Sequence, residues 1–151
     1  MANLAQTVNV LQAVVLTNEE KMVLTPTYHV MEMYNVHQDA TYLPLNFTSP
    51  SYTFGTEKLP AISASASRDE KGVTHISLVN IDAKNTQDIA VEIYGAKFTS
   101  VTGRVLAGEK LQDYNSFESP DKVKPGIFKD ASVSGSTLKV KLPAHAVVVL
   151  E

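Results

Sequence analysis

The texture of the chain changes near Ala40, and this change limits the fold more than any single motif does. From there to Glu151 the sequence runs in short alternating stretches broken by Gly, Pro, Asn and Asp. An antiparallel sandwich needs this pattern, because each strand buries one face and wets the other. Ile62, Ala64 and Ala66 alternate with Ser63, Ser65 and Ser67. The turn sequence Asp69-Glu70-Lys71-Gly72 leads into residues 73–81, which predicts a hairpin. Ile89, Val91 and Ile93 predict another strand, and residues 98–106 predict one or two more around Gly103. Gly135 marks a tight turn between Ala131-Ser132-Val133 and the alternating Leu138, Val140 and Leu142. Residues 147–150 are apolar throughout, which predicts a central strand buried on both faces. Residues 41–45 are broken by Pro44 and belong at a sheet edge.

Before Ala40 the pattern is different. Leu4, Val8, Leu11 and Val15 fall at near-helical spacing, yet residues 7–11 also alternate like a strand, and periodicity leaves both open. Residues 17–21 read as a turn. Thr25 followed by Pro26 is a helix start: the hydroxyl caps, and proline at the first position lacks only an N–H that would have no partner. Val30, Met33, Tyr34 and His37 then share one face, with the helix ending near Gln38. The polar, proline-bearing stretch 113–125 is long for a loop in a compact domain. It is expected either to cover one end of the sandwich or to dock on a neighbouring domain.

Composition narrows the chemistry. The formal net charge is -3, with no basic run to neutralise phosphates, so nucleic acid is not an expected partner. The chain has no cysteine, which removes disulfides and thiol catalysis. No stretch has the ~20 apolar residues of a membrane-spanning helix. The opening residues lack a basic signal-peptide start and run straight into apolar sequence. Met1 is therefore expected to mark a boundary imposed on a longer protein, and cytoplasmic, periplasmic and secreted locations all stay open. Of the four histidines, His29 and His37 lie two helical turns apart, but no carboxylate completes a metal set with them. No metal or cofactor is expected. His75 reads as a half-exposed strand residue. Among carboxylates, Glu32, Glu57, Glu92 and Glu118 show no spacing that marks an acid/base pair. Glu32 and Glu92 read as solvated surface, and no catalytic residue is assigned. There is no Trp for a sugar-stacking platform, and Tyr42, Tyr52, Phe54, Tyr94, Tyr114 and Phe117 are dispersed.

Five segments taken together resemble glycoside hydrolase family 51, the α-L-arabinofuranosidases. Residues 2–11, Ala-Asn-Leu-Ala-Gln-Thr-Val-Asn-Val-Leu, are similar to the family's final barrel segment, Ala-x-x-Ala-Gln-x-Val-Asn-Val. Residues 25–34 resemble its last barrel helix, and residues 76–82 a sandwich strand. Residues 115–125 resemble its Asn-Thr-Phe-Glu-x-Pro-x-x-Val-x-Pro loop. Residues 142–150 resemble its terminal Leu-Pro-x-x-Ser-Val-Val-Val-Leu, with Ala146 in place of the serine.

The resemblance implies a mainly β chain. An antiparallel, jelly-roll-like β-sandwich over residues 40–151 would follow residues 1–39, a remnant of the last strand and helix of a (β/α)8 barrel. It implies a parent that removes terminal α-L-arabinofuranosyl residues from arabinan or arabinoxylan with retention. The two catalytic glutamates would lie on barrel strands upstream of anything matching this chain. The chain would then be a non-catalytic accessory domain packed on the barrel, its principal partner. The alternative is a carbohydrate-binding module that targets plant polysaccharide, with Tyr52 or Tyr114 as the stacking ring. Gln6 is the one position to which the family assigns a contact with arabinose, in the intact parent only. The family also places an N-terminal strand of the parent in this sandwich. Without it an open edge is expected to drive self-association, helped by the apolar face of residues 1–39.

Overall fold

The computed structural model describes Leu4 and residues 6–151. Its centre is a six-stranded antiparallel sheet. Its members are β3 (Thr41–Tyr42), β6 (Ile62–Arg68), β7 (Thr74–Asn80), β9 (Gly103–Leu106), β10 (Gly126–Ile127) and β13 (Ala146–Leu150), in the order β10-β9-β13-β7-β6-β3. A second sheet, β11-β12-β8, packs on it and comprises β8 (Gln87–Glu92), β11 (Ala131–Ser134) and β12 (Thr137–Leu142). Two hairpins stand apart: β1 (Val15–Asn18) with β2 (Lys21–Leu24), and β4 (Ser51–Phe54) with β5 (Glu57–Pro60). The one α-helix among the described residues, α1 (Pro26–Met33), runs into a 3-10 turn over Tyr34–His37.

The register of the strands sets which residues meet inside. Val148 lies opposite Leu78 on one side and Val105 on the other, and Leu78 is opposite Ala64. These residues face the second sheet, where Leu138, Val140 and Leu142 point inward with at most 3% exposure. Together with Ala66, Ile76, Phe128 and Leu150 they form one apolar core. The predicted burial of the last strand holds, since β13 lies between β7 and β9, with Val148 at 0% and Leu150 at 2% exposure. The predicted edge at residues 41–45 is β3, which pairs on one side only. The β6–β7 turn forms as its residues demand: the Asp69 carboxylate accepts from the Lys71 and Val73 N–H groups, and Gly72 supplies a φ of 83°.

Helix α1 begins as its sequence dictates. Thr25 is the N-cap, accepting from the Tyr28 N–H at 3.4 Å, and Pro26 opens the first turn. The chain extends again at Gln38. The helix and the turn after it lie on the outer face of the six-stranded sheet. There Met33, 1% exposed, packs with Leu106, Val123 and Val149.

Two expectations differ from the structure. His75 is 5% exposed, not half exposed, on the outer face of the sheet where two carboxylates flank its ring. Its Nε2 lies 3.3 Å from Asp69, and its Nδ1 lies 3.8 Å from Glu151. Residues 7–11 form neither a helix nor a regular strand: Val8 makes a single parallel bridge to Val15, and the chain then turns through Asn9 at φ 52° and Gln12 at φ 66°.

Candidate functional site

The segment around Gln6 is held by the hairpin β1–β2. The Thr7 carbonyl accepts from the N–H groups of Val14 (3.0 Å) and Val15 (3.1 Å). Asn9 braces the same fold-back: its side-chain amide donates to the Thr17 hydroxyl at 2.9 Å, and its carbonyl oxygen accepts from the Thr17 N–H at 2.7 Å. Gln6 itself is exposed. Thr25 closes the other side, its hydroxyl donating to the Ala13 carbonyl at 2.7 Å and its N–H to the Val14 carbonyl at 3.1 Å.

The long loop 113–125 reaches this segment rather than merely filling a gap. Asn115, 3% exposed, donates to the Leu24 carbonyl at 2.8 Å and to the Val123 carbonyl at 2.9 Å. Its own carbonyl oxygen accepts from the Val123 N–H at 2.7 Å. Every bonding group of the side chain that faces the backbone is used, so the loop is tied both to itself and to the strand leading into α1. Val123, 5% exposed, joins the cluster under the helix.

The carboxylates stand on different elements, each in its own setting. Glu32, on α1, takes a two-pronged ion pair from Arg104 of β9, at 2.7 and 2.8 Å. This places it in a helix-to-sheet tie rather than in plain solvent. The Arg104 hydrogen bond holds its carboxyl below the ordinary range. Glu118 is also held low, chiefly by hydrogen bonding to Ser116. Glu92 is exposed on β8 and accepts from the Thr137 hydroxyl at 2.9 Å, and Glu57 is exposed on β5. A general acid for glycoside cleavage needs its pKa raised, and Glu32 and Glu118 are moved the other way.

Each histidine has local contacts of its own. His37 sits between two serines of the outer face, with Nδ1 2.7 Å from Ser67 Oγ and Nε2 2.6 Å from Ser77 Oγ. Burial pushes its pKa down, and nearby His75 adds to the shift. His29 meets the edge of the Tyr28 ring and is also lowered by burial. His145, at φ 41°, places its ring nitrogens against the carbonyls of Ala83 and Gly108. Among the described residues no group of three metal-ligating side chains converges. Of the aromatics considered for stacking, Tyr114 is 70% and Phe54 79% exposed, while Tyr52 is half-buried. They stand on separate elements, Tyr114 in the long loop and the other two on β4.

The Glu32–Arg104 pair makes a pH-dependent contribution. The folded-state pKa of Glu32 is lowered, so the stabilisation is present above the ordinary glutamate range and fades as pH falls through the lowered value. Both partners are over a third exposed, which limits the contribution to less than about 1 kcal/mol. Glu32→Gln is expected to lower the melting temperature slightly at neutral pH, and the difference from the parent chain is expected to close in acid. A thermal melt series across pH checks both.

Comparison with known proteins places this arrangement. The α-L-arabinofuranosidase C-terminal domain family matches residues 1–146. An intracellular exo-α-L-arabinofuranosidase of Bacteroides ovatus is 49% identical over 152 aligned positions, covering 100% of this chain and 30% of that protein. The GH51 arabinofuranosidase of Xanthomonas axonopodis pv. citri superposes with a TM-score of 0.96 at 45% identity, over 99% of this chain and 30% of that one. The α-L-arabinofuranosidase of Thermotoga maritima shares the fold at a TM-score of 0.85 and 21% identity, over 99% of this chain and 33% of that one. The chain thus spans about a third or less of the length of these relatives. With its helix, its long loop and every strand up to β12 inside the matched region, the chain belongs to the α-L-arabinofuranosidase C-terminal domain family.

Proposed function

We propose that this chain acts as the accessory domain of a retaining α-L-arabinofuranosidase, packed against a catalytic (β/α)8 barrel. In this reading residues 1–39 belong with the barrel and residues 40–151 form the sandwich that supports it. Gln6 then meets the arabinofuranosyl unit, since barrel sites form at the C-terminal ends of strands. The observation that carries the reading is the exposure of large apolar side chains between Leu4 and Met31. Leu4 (42%), Val8 (47%), Leu11 (91%), Met22 (63%) and Met31 (44%) are all exposed. Side chains of this kind left in water are what an adjoining barrel would cover.

A second feature supports a covering partner. β8 pairs with β12 only, and a groove of about 570 Å³ runs beside it, lined by Leu45, Phe47, Ile62, Ala64, Ile76 and Ile89. An added strand along β8 would close this groove and satisfy an open edge.

The proposal predicts that the 151-residue chain self-associates when alone. Sedimentation velocity is expected to show dimers or larger species growing with concentration, and Leu11→Lys is expected to reduce them. A clean monomer at high concentration would overturn the docking-surface reading.

A further inference from the structure

We infer that Asn115 is a positioning residue, which fixes residues 6–14, and so Gln6, from the sandwich side. The inference rests on the proposed contact between Gln6 and the sugar, and it adds the route by which the sandwich controls that residue. The route begins in the sheet. Val149 of β13 and Leu106 of β9 pack with Val123. Val123 is joined to Asn115 by two hydrogen bonds, at 2.7 and 2.9 Å. Asn115 donates to the Leu24 carbonyl at 2.8 Å. The next residue, Thr25, holds Ala13 and Val14 through its hydroxyl and its N–H. Val14 in turn donates to the carbonyl of Thr7, the neighbour of Gln6. Each step is a covalent bond, a hydrogen bond or a packed contact.

The chemistry at position 115 is specific. Only an amide of this length supplies two donors to two carbonyls and an acceptor to an N–H from one side chain. Asparagine is buried here, so water does not readily replace what it gives. Aspartate would keep the bond from the Val123 N–H while setting a carboxylate against two carbonyl oxygens. The hydrogen bonds of Asn115 go to backbone groups, so it acts through Leu24 and Thr25 and not on substrate.

The test is amide hydrogen exchange followed by NMR on the ¹⁵N-labelled 151-residue chain, without sugar. Asn115→Ala, Asn115→Asp and Thr25→Val are compared with the parent chain. In all three, exchange at the Val14 and Val15 amides is expected to rise about tenfold or more, the scale of losing one buried hydrogen bond. Exchange at Leu78 and Val148, deep in the sheet, is expected to stay unchanged. A rise at Val123 with none at Val14 and Val15 would overturn the inference by confining Asn115 to its own loop. A uniform rise across all amides would overturn it equally, by reducing Asn115 to a general stabiliser. Thr25→Val probes the second link independently, should the Asn115 variants fold poorly. Because exchange is read without sugar, failure here counts against the coupling, whereas failure of the Gln6 contact would appear only in sugar binding.

Discussion

Val148→Asp is expected to abolish cooperative folding of the chain at neutral pH. Val148 is 0% exposed and sits on the central strand of the larger sheet, between Leu78 and Val105. Its side chain faces Leu138, Val140 and Leu142 across the sandwich. Aspartate there loses the buried valine, whose burial contributes about 1.5 to 3 kcal/mol. It also places a carboxylate where no cation or donor lies ready. The sum exceeds roughly 4 kcal/mol, against a total stability of about 5–15 kcal/mol for a typical domain. Circular dichroism should show no sharp thermal transition. An unchanged melting temperature would refute the assignment of β13 as a buried central strand.

Met33→Ala is expected to destabilise the chain at a different joint, where the helix meets the sheet. Met33 is 1% exposed and lies between α1 and the outer face of the sheet, against Leu106, Val123 and Val149. Truncating a buried methionine costs about 2–5 kcal/mol, because the cavity closes only in part. For a chain of this size that corresponds to a fall in melting temperature on the order of 10 °C. The fall should appear in one cooperative transition, since the Glu32–Arg104 and His37–Ser67 contacts fasten the same helical segment to the same sheet. A separate early transition that left the main one unmoved would show that the helix and the sandwich unfold independently.

The sandwich was largely readable from residue order, for a physical reason. Its core strands bury one face each, so Leu138, Val140 and Leu142 announce themselves by alternation, and β13 by its unbroken apolar run. The start of α1 was equally plain, because Thr25-Pro26 carries both the cap and the fixed first turn. The hairpin β4–β5 gave no such signal. Seven of its eight residues are exposed and Tyr52 is half-buried, so no buried face imposes a period. The hairpin β1–β2 was read only as its turn, because Glu19 takes φ 52° where glycine or asparagine would have flagged a hairpin. The burial of His75 is hidden for a related reason: a strand position shows which face a residue takes but not what lies over that face. Here Asp69 and Glu151 flank its ring.

The candidate site was legible only in part. Gln6 came from resemblance to a family motif, and it carries no local pattern of its own. The Asn115 tie joins residues 91 positions apart, a separation at which sequence periodicity is silent. The loop's length and its prolines showed that it had a task, and the structure supplied the partner, Leu24.

In the proposed function this chain supports an arabinofuranosidase barrel without performing its chemistry. The most direct test is release of p-nitrophenol from p-nitrophenyl α-L-arabinofuranoside by the purified 151-residue chain. Retention needs two carboxyl groups about 5–5.5 Å apart, one of them with a raised pKa. In this chain Glu32 is held down by Arg104 and Glu118 by Ser116. The expected result is no release above the uncatalysed background. Turnover that survives repurification would overturn the proposed function and place a working carboxylate pair within the chain itself.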